Sequence, residues 1–585
     1  GQLNQSEQAI QTYNDLIAYV GDDQTLALRE RVVKAMFNKG VRQGQLNQSE
    51  QAIQTYNDLI AYVGDDQTPA LREQVVKAMV NKGVRQGQLQ SKQEIQTYND
   101  LIAYVGADQT PALREQVVKA MVNKGVTQSQ LNQSEQEIQT YNDLIAYVGD
   151  DQTPALREQV VKAMLNKGVT QSQLNQSEQE IQTYNDLIAY VGDDQTSALR
   201  EQVVKAMVNK GVRQGQLNQS EQAIQTYNDL IAYVGDDQTP ALREQVVKAM
   251  VNKGVRQGQL NQSEQAIQTY NDLIAYVGDD QTPALREPIV TAMLNKGVRQ
   301  GQLNQSEQAI QTYNDLIAYV GDDQTPALRE PIVTAMLNKG VRQGQLNQSE
   351  QAIQTYNDLI AYVGDDQTPA LREPVVTAML NKGITQGQLN QSKQEIQTYT
   401  DLIAYVGDDQ TPALREQVAM AMLNKGVTQG QLNQSEQEIQ TYNDVIAYVG
   451  DDQTPALREQ VAMALNQVGF TLLCQSKPLM QNNDFDGANM LLNQALEKFE
   501  LAIREHASGI YIGNKAYALA LLGQFAGPEQ VFAKALRAEV DGGETLYQGT
   551  LKDFDIHPIE QDKAFREIVE QQWVHYQQEL KGSGE

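Results

Sequence analysis

Residues 49–86 read SEQAIQTYNDLIAYVGDDQTPALREQVVKAMVNKGVRQ. Ile53, Tyr56, Leu59, Ile60, Tyr62 and Val63 follow a three-to-four spacing, which predicts a helix capped by Ser49 and stopped at Gly64. Asp65, Asp66 and Gln67 then read as a loop. Thr68 is expected to cap a second helix, with Pro69 at the first helical position, where a missing N–H costs nothing. Leu71, Val75, Val76, Met79 and Val80 form its apolar stripe. No alternation of strand type occurs, and helix formers dominate.

The same block recurs along the chain, with copies starting at Gly1, Gly44, Gly87, Ser129, Ser172, Gly215, Gly258, Gly301, Gly344, Gly387 and Gly430. The third copy is one residue short, at GQLQSKQ. One such hairpin cannot bury its own apolar face, but stacked neighbours can. The expected fold is therefore all-α, an α-solenoid of antiparallel helix pairs. Residues 1–460 hold eleven near-identical copies, the first without its first helix. Residues 461–540 read as two divergent copies, and 541–585 as a helical cap with Phe554, Phe565, Ile568, Trp573 and Tyr576 between charges. The final GSGE reads as a linker scar. The start inside a repeat suggests a fragment, with more repeats or another domain upstream.

The repeat accounts for the composition. The chain has 585 residues and a formal net charge of -28, with 26 Tyr but only 8 Phe, 3 His, 1 Trp and 1 Cys. Residues 1–469 contain no His, Cys or Trp. Thiolate or imidazole zinc sites and Cys–His or Ser–His pairs are thereby excluded from that stretch. One Cys allows no internal disulfide. Catalysis, a cofactor and a resident metal are not expected. The acidic balance opposes nucleic acid, and no apolar run approaches the roughly 18 residues of a membrane span. A cytoplasmic location and a protein or peptide partner are expected.

The spacing resembles the tetratricopeptide repeat, in the form of the near-identical arrays of bacterial members. Met36, Gly40, Leu46, Ala52, Tyr56 and Leu59 fall at that family's large, Gly, Leu, Ala, aromatic and apolar positions. Two departures stand out. The period is 43 residues, and the extra GDDQTPALR lies between one hairpin and the next, followed in three copies by Pro288, Pro331 or Pro374. Either the first helix kinks at those prolines, or it starts there and the insert makes its own turn. Lys39 and Gln43 stand where the family is usually apolar, which suggests looser packing with Lys stems snorkelling.

The resemblance implies that the first helices line a concave surface. Asn recurs there two residues before the Gly, at Asn38, Asn81, Asn123, Asn166, Asn209, Asn252, Asn295, Asn338, Asn381 and Asn424. Gln467 replaces it once, and it returns at Asn514. The row resembles the asparagine ladder of the O-GlcNAc transferase repeat domain, which binds the backbone of extended peptides. An amide pairs with any peptide group, having both donors and an acceptor. Near-identical copying would also preserve an Asn that does nothing. One turn earlier the residue is Lys34, Lys77, Lys119, Lys162, Lys205 and Lys248, then Thr291, Thr334 and Thr377, then Met420 and Met463. This predicts a stripe running from cationic to neutral to apolar. The GDD loops read as helix capping rather than Ca²⁺ sites, which need about six spaced oxygens. The Tyr pairs and Cys474 read as core, and His557 carries no assigned chemistry.

Three functional readings follow. The first is a non-catalytic scaffold binding an extended peptide or partner domain along the concave surface. The second is an architectural array that self-associates, since a patch recurring at fixed spacing favours head-to-tail contacts. The third is a sensing arm of an effector whose enzymatic domain lies upstream.

Overall fold

The structure, a computed structural model, describes residues 2–21, 25–90, 92–194, 196–523, 527–538 and 543–582. Asp22 and Asp23 of the first GDD loop, and residues 583–585 of the terminal GSGE, lie outside the described residues. Every regular element described is a helix. Residues 1–292 and 293–585 form two compact units. In each, helices of 20 residues, such as Pro69–Gln88, alternate with helices of 15, such as Ser49–Val63.

The long helix ends in a turn at a non-glycine residue in the left-handed region: Asn47 (φ 59°), and its equivalents Asn132, Asn175 and Asn218. Asn tolerates this backbone better than most residues. The Leu-Asn-Gln turn is a signal the periodicity did not reveal. In the short third copy Gln90 takes this position (φ 53°), and the following helix is cut to Gln93–Val105. The short helix ends, as expected, at Gly64, whose φ of 59° and ψ of -132° suit glycine.

Ser49 is not the cap. It is the first helical residue; Gln48 precedes the helix and makes no side-chain cap. Thr68 does hold the N-cap position of the long helix, but its hydroxyl caps nothing. Instead Asp66 accepts the Thr68 N–H (2.8 Å) and Oγ1–H (2.6 Å). The same carboxylate receives Arg29 of the preceding long helix at 2.5 Å. The pairing recurs as Arg72–Asp108, Arg157–Asp194 and Arg372–Asp409. The second Asp of these loops thus ties neighbouring copies as well as starting a helix. The Thr and Arg contacts hold the Asp66 carboxyl below the ordinary range.

The insert is not a separate turn. Only GDDQT is loop; PALR forms the first turn of the long helix, which runs on through Pro288, Pro331 and Pro374. Each proline removes one backbone hydrogen bond near the helix start.

Between the helices the core is aromatic and aliphatic. Ala52, Tyr56, Leu59 and Val63 of the short helix meet Leu71, Val75, Val76 and Ala78 of the long one, all buried. Full burial of such a side chain is worth about 1.5–3 kcal/mol. Gln43 is not loosely packed: it is buried and accepts the Thr55 hydroxyl at 2.7 Å, a pair repeated as Gln128–Thr140 and Gln386–Thr398. A satisfied amide replaces the apolar residue of the family pattern. At the position of Lys39, partial burial lowers the pKa of Lys82 and Lys124, while Asp100 and Asp143 oppose it. The second Tyr of a pair lies under the tying arginine from Tyr62 onward, as Tyr104 does under Arg72 (5.7 Å), whereas Tyr19 is exposed.

Neighbouring long helices pack on one another, as Leu26–Gln45 does on Pro69–Gln88 and Pro369–Gln388 on Pro412–Gln431. Neighbouring short helices show no comparable packing. The long helices therefore form the inner face of each unit. The result is an α-solenoid of tetratricopeptide-like hairpins.

Past the regular copies run helices Pro455–Gln481, Phe485–Glu505, Gly509–Leu521, Pro528–Ala538, Glu544–Asp553 and Asp562–Gly582. Phe499, Tyr517, Phe532, Phe554 and Phe565 build an aromatic core here. Among the described residues, no helix is long and apolar enough to cross a membrane.

Candidate functional site

The inner face carries the residues that the sequence singles out, since every ladder Asn lies on a long helix and is half-buried. In two of them part of the amide is already used. Asn166 Nδ2 donates to the Tyr141 hydroxyl and Asn209 Nδ2 to the Tyr184 hydroxyl, both at 3.3 Å. Tyr141 and Tyr184 lie on the short helix before the ladder's long helix, so the ladder stitches successive hairpins together. Asn81, Asn123 and Asn252 act on Tyr56, Tyr98 and Tyr227 in the same sense, outside strict hydrogen-bond geometry. One N–H spent still leaves an amide a donor and an acceptor for a ligand. At the far end Asn514 donates to Asn466 at 2.9 Å rather than to a tyrosine.

The stripe one turn earlier is less cationic than its sequence suggests. Lys77, Lys162 and Lys248 each donate to the glutamate one turn before, Glu73, Glu158 and Glu244, at 2.5, 2.7 and 2.6 Å. Glutamate four residues before lysine is the favourable order on a helix. Where Thr replaces Lys, Thr291, Thr334 and Thr377 donate to the backbone carbonyls of Glu287, Glu330 and Glu373 and leave those carboxylates without the lysine. Met420 and Met463 follow, both about 40% exposed. Three of the six lysines are therefore ion-paired, and a glutamate stands one turn before every Thr and Met of the row.

A cleft of ≈ 510 Å³ opens on this face in the first unit. Val208, Val212 and Val251 line it with Glu244, Lys248 and Asn252 and, from the next long helix, Pro283, Glu287, Pro288 and Thr291. Three successive long helices line it, and Lys248 and Asn252 of the middle one face it together. The valines and prolines carry no sequence signal as site residues, because core and inner-face valines look alike in a periodic pattern.

The C-terminal unit holds a buried ammonium, also unmarked in the sequence. Lys477, fully buried, donates to the Tyr517 hydroxyl (2.9 Å) and the Ile556 carbonyl (2.7 Å) and pairs with Asp562 (3.2 Å). Tyr517 in turn donates to Asp562 at 2.6 Å, and the Ile559 N–H does so at 2.9 Å. All three ammonium protons are used, so this network anchors the 554–562 segment and offers nothing to a substrate. Burial pushes the Asp553 carboxyl up to about 6 and the Cys474 thiol up to about 12, as befits an inert thiol. Among the described residues, no group of three or more His, Cys, Asp or Glu is placed to hold a metal.

No family model and no curated protein matches the chain. Among solved structures, the apo form of RapI is similar over 64% of this chain and 96% of its own, at 10% identity and a TM-score of 0.37. A signal transduction ATPase with a tetratricopeptide repeat sensor, from Pyrococcus horikoshii, is similar over 65% of this chain and 61% of its own, at 11% identity and 0.36. The apo quorum sensor NprR from B. thuringiensis covers 65% of this chain and 99% of its own, at 11% and 0.32. Likenesses this distant carry no conclusion about partners, which must come from the chain's own residues.

Proposed function

We propose that this chain is a non-catalytic protein-interaction scaffold that holds an extended peptide or a partner segment against its long helices. The observation that carries this reading is the inner-face cleft, with an apolar floor of Val208, Val212 and Val251 beside the polar Lys248 and Asn252. An apolar floor with a few placed polar groups is the usual make-up of a ligand site. Repetition of the same helix face supplies further contacts along one strand of peptide, and their effects multiply.

Selection of a random peptide library on the whole chain, followed by competition binding, tests this. Selected peptides should lose at least tenfold in affinity to V251D and several-fold to N252A. Gln225→Ala, on an exposed short-helix face, should leave binding unchanged. No enriched peptide, or peptides indifferent to V251D, would sink the proposal.

A further inference from the structure

The seam between successive hairpins follows a pairing rule. At the position of Ala52 the short helix carries either Ala or Glu, and at the position of Arg85 the next long helix carries either Arg or Thr. With Ala and Arg, the guanidinium fills a slot over a glycine of the preceding long helix, as Arg85 does over Gly44 and Arg342 over Gly301. With Glu and Thr, the carboxylate takes that place. A Cβ on Gly387 would lie 2.8 Å from Glu395 Oε1, and one on Gly430 would lie 2.7 Å from Glu438 Oε1. One seam has both. Glu180 and Arg213 form an ion pair with side chains 3% and 11% exposed, and Arg213 Nη2 also donates to the Ser172 carbonyl at 3.1 Å.

The Glu/Thr seams therefore hold a carboxylate without the guanidinium that accompanies it in the Glu180 seam. Thr cannot substitute for that cation. Its single hydroxyl proton goes to its own helix, from Thr127 to the Asn123 carbonyl and from Thr471 to the Gln467 carbonyl, each at 3.0 Å. Glu137, 2% exposed, has an Oε2 with no hydrogen-bond partner. Burial pushes the carboxyls of Glu94, Glu137, Glu395 and Glu438 above the ordinary range, while the nearby hydroxyls of Thr127, Thr170, Thr428 and Thr471 oppose it only in part. Two of these seams open into cavities, of ≈ 450 Å³ at Glu94 and ≈ 470 Å³ at Glu438. Lys92 lines the first. The second has aromatic walls, Tyr442 and Phe470, with Gln467, Thr471 and Cys474 around the carboxylate. His557 lines it as well, and the buried ammonium of Lys477 is paired with Asp562.

We propose that the Glu438 slot binds a guanidinium group, the arginyl side chain of a partner chain, which Glu438 holds as Glu180 holds Arg213. Carboxylate–guanidinium pairing is strong when desolvated and can be bidentate, and aromatic walls favour a planar cation. Gln467, which stands in the asparagine row, lines the slot, so a peptide on the inner face would pass beside it. The inference takes from the scaffold reading only the source of the arginine.

The whole chain is titrated with N-acetyl-arginine methylamide, and binding is followed by isothermal titration calorimetry. The arginine compound should bind saturably, and its citrulline and lysine counterparts at least tenfold more weakly. E438Q should weaken binding at least tenfold. T471R, which keeps the carboxylate but supplies a guanidinium from the chain itself, should abolish it. E436Q, the same charge change at an exposed position of the same helix, should behave as the parent. No saturable binding of the arginine compound, equal binding of citrulline, retained binding in T471R, or equal loss in E436Q and E438Q overturns the proposal. The probe is a single amino-acid derivative read in the second unit. Its failure therefore leaves the peptide result at the Val251 cleft standing, and the reverse holds too.

Discussion

Gly211 lies against the ring of Tyr227: a Cβ there would sit 2.5 Å from Cε1 and 2.7 Å from Cζ. The glycine belongs to helix Ser197–Gln216 and the tyrosine to helix Ser220–Val234, so this contact sets how closely one hairpin closes. Tyr227 is fully buried and cannot swing away. Ala in place of Gly should gain about 1 kcal/mol in helix propensity but cost about 1–3 kcal/mol in overpacking. We expect a net loss for Gly211→Ala. Because contacts in a solenoid stay between neighbours, hydrogen exchange should accelerate in residues 197–234 and not in 412–449. Uniform acceleration across the chain would contradict this.

The asparagine ladder is also testable as a structural stitch. Asn209→Ala removes the donor to Tyr184 and leaves a buried hydroxyl one partner short, a loss of about 1–3 kcal/mol. Asn252→Ala should cost less, because its contact with Tyr227 falls outside strict hydrogen-bond geometry. Denaturant midpoints of the two variants provide the comparison. Equal losses would refute the distinction.

Glu137 should make stability depend on pH. Burial raises its folded pKa above the ordinary carboxylate value of 4.5. Between the two values the unfolded chain has released a proton that the folded chain keeps, so rising pH favours unfolding. The contribution of Glu137 is complete below the unfolded value and is lost as pH climbs through the folded one. Glu137→Gln cannot titrate. Its Tm relative to the parent should therefore improve from mildly acidic to mildly alkaline buffer. A gap that stays constant or reverses counts against the burial argument.

One seam breaks the pairing rule. Ala352 meets Thr385, and a Cβ on Gly344 would meet nothing within 4 Å, so neither a guanidinium nor a carboxylate fills that slot. Thr385→Arg should fill it as Arg342 fills the slot over Gly301. We expect a gain of about 0.5–2 kcal/mol, typical of a filled cavity, seen as slower exchange in residues 326–388. Faster exchange there would show that the slot has closed by other means.

Pro331 occupies a position where sister copies carry Gln, as at Gln245. Pro331→Gln restores one backbone donor inside the helix. The gain should lie below the ~3 kcal/mol of a helix centre, since the position is near the start. Differential scanning calorimetry checks it, and a lower Tm would contradict it.

The sequence by itself determined the helical hairpin, its period, the stop at Gly64 and the helix start at Pro69. These depend on local spacing and backbone preference, which a chain displays residue by residue. It also marked the Asn and Lys rows as one helix face. The tertiary structure alone decided which residues complete each other across seams. Asp66 serves Arg29 of the previous copy, Asn209 serves Tyr184, and Arg213 serves Glu180. In eleven near-identical copies, Ala-or-Glu and Arg-or-Thr look like independent drift, because the paired positions stand 33 residues apart. Only stacking puts them within one desolvated slot, where an unmatched charge is costly and an unfilled volume becomes a site.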